Sequence, residues 1–133
     1  MTLSTRKEDL LAIEIQDLFD AGAFWAQGRR IEDIELMIQM SNPVVSARID
    51  NRLVGFTRAT GDGVYRAVIW DVVVDPACQG QGIGRQLVEA LISHPLMCAV
   101  ERVYLMTTFQ QGFYEKLGFV KNASTTMVLT RNT

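Results

Sequence analysis

Residues Tyr65 to Val74 form a mostly apolar, β-branched run that empties through Asp75-Pro76 into Ala77-Cys78-Gln79-Gly80-Gln81-Gly82-Ile83-Gly84-Arg85. The run reads as a strand buried on both faces. Leu87, Val88, Leu91 and Ile92 follow at helical spacing, so a helix starts near Gly82 and ends before Pro95. Glycines at alternate positions let the backbone turn sharply and come close to an anion. The helix start adds unpaired N–H groups and about half a positive charge, which favours a diphosphate there. Arg85 is placed to add a charge-assisted contact. A glycine-rich turn alone needs no ligand; the strand before it and the helix after it make this one a phosphate site. Two other phosphate loops fit worse. The dinucleotide fingerprint puts its third glycine where Arg85 stands, and the nucleotide-triphosphate loop needs a Gly-Lys-Ser/Thr that is absent.

The remaining elements follow from periodicity and punctuation. Leu10, Leu11, Ile15, Leu18 and Phe19 share one face of a first helix that ends near Ala21-Gly22-Ala23. Gln27-Gly28 marks a turn, and a second helix runs from Ile31 to Met40, stopped by Ser41-Asn42-Pro43. Val44 to Ile49 and Leu53 to Ala59 read as a hairpin around Asp50-Asn51, with another turn at Gly61-Asp62-Gly63. Beyond Pro95, a short strand at Val103 to Met106, a helix at Gln110 to Leu117 and a last strand at Thr125 to Thr130 complete the chain. The order α-α-β-β-β-α-β-α-β predicts an α/β fold, a mixed sheet with helices on both faces.

At 133 residues without repeats or linkers, residues 1–133 read as a single domain. A net charge of −2 argues against a nucleic-acid partner and suits cationic substrates. No run approaches the roughly 18 apolar residues that span a bilayer. The N-terminus meets mixed charge at once instead of a signal-peptide core, so a cytoplasmic location is the expectation. Cys78 and Cys98 are too few for a disulfide framework or a zinc site; no metal is expected.

Val72 through Gly84 resembles the acetyl-CoA motif of the GNAT superfamily, Gln/Arg-x-x-Gly-x-Gly/Ala with its Val-x-Pro lead-in. Phe113-Tyr114-Glu115-Lys116-Leu117-Gly118-Phe119 resembles the second signature of that family. The segment from Arg58 to Pro76 is similar to the cyanobacterial and plant chloroplast branch, which includes serotonin N-acetyltransferases and protein-lysine acetyltransferases. The resemblance implies a GNAT-like fold, with a central, mostly antiparallel sheet splayed between its fourth and fifth strands.

Acetyl-CoA would lie in that opening. Val72, Val73 and Val74 would bond its pantetheine arm through their main chain. Gln79, Gly80, Gln81, Gly82, Ile83, Gly84 and Arg85 would form the cofactor-binding cradle. Tyr114 takes the general-acid position, protonating the departing thiolate; outside the motif it would read as a half-buried helix aromatic. Lys116 is either a solvated helix residue or a contact to a coenzyme phosphate. Thr107 stands where many relatives have an asparagine that helps hold the cofactor.

The base is less well marked. An amine with a pKa near 10 must lose a proton before attack. Asp71 is the only acid in the apolar run and is the candidate base or amine anchor; the other reading is an acid bonded to backbone or to an arginine. Phe24 and Trp25 are either an aromatic wall for the acceptor or core, and Trp70 reads as core. A covalent route through Cys78 and His94 fits poorly, because Cys78 precedes the phosphate loop and His94 abuts Pro95.

Direct attack by a primary amine in a ternary complex is the expected reaction, with a small arylalkylamine such as serotonin as acceptor. Polyamines, protein lysines and protein N-termini stay open, as does a homodimer. A non-catalytic acyl-CoA-binding module on the same fold is the rival reading.

Overall fold

The computed structural model describes residues 1–124 and 126–131. Among these residues five strands pair in chain order: β1 (Thr2–Ser4), β2 (Val44–Ile49), β3 (Arg52–Gly61), β4 (Arg66–Val74) and β5 (Arg102–Tyr104). All neighbours are antiparallel except β4 and β5, which are parallel. The mixed, mostly antiparallel sheet expected from the sequence is therefore present. The short strand β1 was not foreseen, because its three residues carry no alternation to read. The expected last strand is not formed: residues 126–131 take no strand, and Thr125 lies outside the described residues.

Among the described residues four α-helices complete the fold: α1 (Ala12–Gly22), α2 (Ile31–Met40), α3 (Ile83–Ser93) and α4 (Gln111–Glu115). Two cores divide the sheet. Ile15, Leu18 and Phe19 of α1 and Ile34 of α2 pack with Phe56 and Val73 on one face. On the other, Leu87, Val88 and Leu91 of α3 meet Val45, Val54, Ala67 and Ile69. Gly55 makes this second contact close; a Cβ there would meet Leu87 Cδ1 at 3.0 Å and Ile83 Cγ2 at 3.1 Å. Asp50 and Asn51 both adopt positive φ, at 50° and 64°, so the hairpin turns as Asx residues allow. Among the described residues no helix is long and apolar enough to cross a membrane.

Two irregularities open the sheet. Pairing of β4 with β5 stops at Val68 and Tyr104, so among the described residues β4 from Ile69 onward has no strand on that edge. Within β4, Phe56 pairs with Val73 but Arg58 with Trp70, leaving Asp71 and Val72 opposite the single residue Thr57. This is a β-bulge, with Asp71 in the left-handed region at φ 55°. The bulge reverses the strand's parity. Ala67 and Ile69 face α3; beyond the bulge Val72 and Val74 do, while Val73 turns to α1. The expectation of a strand buried on both faces is corrected accordingly: Trp70, Val72 and Val74 are only half-buried, because they border a cavity.

Candidate active site

A cavity of about 1100 Å³ occupies the opening between the free edge of β4 and the segment Leu105–Tyr114. Its floor at one end is the start of α3. Asp75 caps the short helical turn Pro76–Cys78 by accepting from the Ala77 N–H at 2.9 Å, while Arg52 Nη1 donates to its other oxygen at 2.7 Å. The hydrogen bond from Ala77, and then that from Arg52, hold the Asp75 carboxyl below its usual value. The loop leaves this anchored turn through Gly80 and Gly82 at φ 83° and 79°, where no Cβ would meet a neighbour but an L side chain would be strained. Gly82 is the N-cap of α3, so the N–H groups of Gly82, Ile83, Gly84 and Arg85 have no intrahelical acceptor.

Of the residues singled out for this end, Val72, Val74, Gln79, Gly80, Gly82, Ile83, Gly84 and Arg85 border the cavity. Gln81 and Val73 do not; Val73 packs on the α1 face, and only its main chain belongs to the β4 edge. Arg85 does not reach inward as an isolated cation, because its Nε donates to Glu89 at 2.6 Å.

Tyr114 lies across from β4. Its ring stands edge-on to Phe113 at 5.0 Å and to Phe119 at 5.9 Å. Among the described residues its hydroxyl has no hydrogen-bonding protein partner, and burial raises its pKa, so it is held as a neutral phenol. Thr107 also borders the cavity, but its hydroxyl accepts from the Gln110 N–H at 3.1 Å and shapes the loop into α4.

The other end is built on Asp71. Its side chain is only 5% exposed, yet both oxygens are engaged. Trp25 Nε1 donates to Oδ1 at 2.7 Å; Arg58 Nε at 2.8 Å and Arg29 Nη1 at 3.2 Å both donate to Oδ2. Burial pushes the carboxyl upward, but the hydrogen bonds from Trp25 and Arg58 and the two nearby guanidinium charges outweigh it and hold the pKa below the ordinary value. Arg58 also donates to Ser41 Oγ at 3.3 Å, and Ser41 in turn to the Met37 carbonyl at 2.6 Å, which ties the cluster to α2.

Phe24 and Trp25 border the same cavity and are 68% and 46% exposed, so the core reading of this pair does not hold. They stack edge-on at 5.0 Å, and Phe109 lies 6.0 Å from Phe24. Trp70 likewise borders the cavity, its indole N–H donating to Thr60 Oγ1 at 2.9 Å.

Arg29, Arg58 and Phe109 were missed in the sequence. Arg58 carried a signal, a charge in an apolar strand one hairpin away from Asp71. Phe109 carried none. The suggestion of a surface suited to cations is also corrected at the site: among the described residues Asp71 is the only acid bordering the cavity, against Arg29, Arg58 and Arg85.

An open strand edge, a helix start with unpaired N–H groups reached through left-handed glycines, and, among the described residues, a phenol without a hydrogen-bonding partner across the gap meet in one cavity at a split sheet. Residues 9–119 match the Acetyltransferase (GNAT) family, and the chain belongs to it. It is 36% identical over 118 residues to the Arabidopsis thaliana protein named GCN5-related N-acetyltransferase 1, chloroplastic, covering 86% of this chain and 59% of that one. Serotonin N-acetyltransferase 2, chloroplastic, of Oryza sativa subsp. japonica is 48% identical over 69 residues, 51% of this chain and 34% of the relative. A GNAT-family protein of known structure from Xanthomonas campestris pv. campestris superposes with a TM-score of 0.85 at 25% identity, covering 99% of this chain and 92% of that chain. The chain thus spans from 34% to 59% of the length of these two plant relatives.

Proposed function

We propose that this chain transfers the acetyl group of acetyl-CoA to a primary amine by direct attack in a ternary complex. The observation that carries the reading is the union, in one cavity, of the free N–H groups at Gly82–Arg85, the unpaired edge of β4 and the unpartnered hydroxyl of Tyr114. These residues fit acetyl-CoA. The cradle takes a diphosphate, and the β4 edge from Ile69 to Val74 offers main-chain groups to an extended amide arm. When bound, the coenzyme supplies an acyl group activated as a thioester.

The chain's own residues then have limited tasks. A β4 N–H polarises the thioester carbonyl. Tyr114 donates a hydrogen bond, and then its proton, to the leaving sulfur. A thiol has an ordinary pKa of about 8.5, below that of a buried phenol, so full transfer is uphill. The phenol stabilises the charge building on sulfur by its hydrogen bond, and the proton it gives up is replaced by the one the amine releases. Asp71 is read as an anchor instead of a base, because its oxygens already accept from Trp25, Arg58 and Arg29 and its pKa is lowered. The amine proton leaves through water in the cavity.

For the acceptor, the exposed trio Phe24, Trp25 and Phe109 supports a small amine on an aromatic body, and the partial relative named for serotonin points the same way. Polyamines fit less well, since the lining carries more arginine than acid. For location the cytoplasm is kept as a proposal; the two plant relatives are chloroplastic by name. The test is release of free coenzyme A thiol from acetyl-CoA with serotonin, spermidine and a lysine peptide offered separately. Acetyl-CoA binding without release on any amine would leave a non-catalytic acyl-CoA-binding module.

A further inference from the structure

The Arg29–Asp71–Arg58 cluster is unbalanced. Both guanidiniums donate to the same carboxylate oxygen, Oδ2, so two like charges converge on one counter-charge. Among the described residues Asp71 is the only acid bordering the cavity, so no other described side chain of the lining offsets the second arginine. A guanidinium carries five donors. Among the described residues Arg29 uses only Nη1 and Arg58 only Nε and Nη1, leaving Nε and Nη2 of Arg29 and Nη2 of Arg58 without protein acceptors. None of these nitrogens is shut away from solvent, since no buried side-chain nitrogen or oxygen among the described residues lacks a partner. The two side chains are 33% and 17% exposed, and both border the cavity beside Trp25.

A simple alkylammonium entering this end meets excess positive charge. That charge helps it lose a proton, but it also weakens its binding. An anionic group on the same molecule removes the conflict, because spare guanidinium donors at neighbouring positions suit a two-oxygen or three-oxygen anion. Resting on the acetyl-transfer reading above, we infer that the preferred acceptor carries, besides its amine and apolar body, a carboxylate or phosphate group bound by Arg29 and Arg58.

The experiment compares kcat/KM for tryptamine with tryptophan and for ethanolamine with O-phosphoethanolamine, which separates the two sources of the anion. The anionic member of at least one pair is favoured by about tenfold or more, roughly one charge-assisted contact. Arg29→Gln abolishes that preference without changing acetyl-CoA affinity. Equal or better turnover of both uncharged members, or a preference that survives Arg29→Gln, overturns the inference. A second readout needs no turnover: calorimetric titration of indole-3-propionate into the protein with coenzyme A bound. Binding that weakens about tenfold in Arg29→Gln upholds the anion subsite even if no amine is acetylated, in which case acetyl transfer alone falls. Binding unaffected by Arg29→Gln, or no binding together with no anionic preference, removes the subsite. Arg58→Lys serves as the second variant, keeping the charge while losing the planar fork.

Discussion

The proposed donor end of the cavity is built from main chain and the proposed acceptor end from side chains, and the two differ in how their parts are spread along the sequence. The cradle is one continuous segment, Asp75 to Arg85, held by a capped turn and two left-handed glycines. The acceptor end draws on Phe24, Trp25 and Arg29 between α1 and α2, Arg58 on β3, Asp71 at the β4 bulge and Phe109 beyond β5. Main-chain recognition of a diphosphate tolerates many side chains. Side-chain recognition of an acceptor changes with each substitution, so one donor can serve enzymes with different acceptors. The bulge is the hinge between the two ends: it turns Val72 and Val74 toward the donor side and fixes Asp71 among the arginines.

The most forceful way to break this contrast is to remove Asp71. Asp71→Ala leaves two converging guanidiniums without their counter-charge and costs about 3 kcal/mol, read from the denaturant midpoint at neutral pH. An unchanged midpoint would mean that Asp71 is not the structural centre of the acceptor end. The same residue sets a pH dependence. Its folded pKa lies below the ordinary carboxyl value, so its contribution is complete above the unfolded value near 4 and is lost as pH falls through the folded one. Wild-type stability therefore falls more steeply below about pH 4 than that of Asp71→Asn, in which this group no longer titrates; parallel acid profiles for the two would sink the assignment.

Tyr114→Phe is expected to lower kcat by about 100-fold with acetyl-CoA affinity little changed; turnover equal to wild type would remove the phenol from the chemistry. At the donor end the effects are smaller. Gly82→Ala forces a Cβ into a left-handed residue and costs about 1 kcal/mol of stability, with weaker coenzyme binding alongside. Arg85→Ala sharpens the comparison most finely. If the cradle is main chain, losing an exposed arginine already paired with Glu89 weakens acetyl-CoA binding by no more than about fivefold, worth about 1 kcal/mol. A loss far beyond that, measured by calorimetry, would show that side-chain charge carries the donor end too.

What the sequence by itself determined is local. Helical spacing set α1, α2 and α3, Asx chemistry set the β2–β3 turn, and the glycine loop between a strand and a helix marked the proposed donor site, because every part of it lies within one short segment. Phe24, Trp25 and Asp71 were legible as candidates by residue type, and Tyr114 by the resemblance of its segment to the second family signature. Their arrangement was not. The β4 bulge was hidden because the strand is apolar on both sides of it, so a change of parity leaves no mark in the pattern. Only the tertiary structure decided that Asp71 answers to Trp25, Arg29 and Arg58, residues 46, 42 and 13 positions away. Contacts at such separations follow from how the sheet bulges and splays, and no local spacing encodes them.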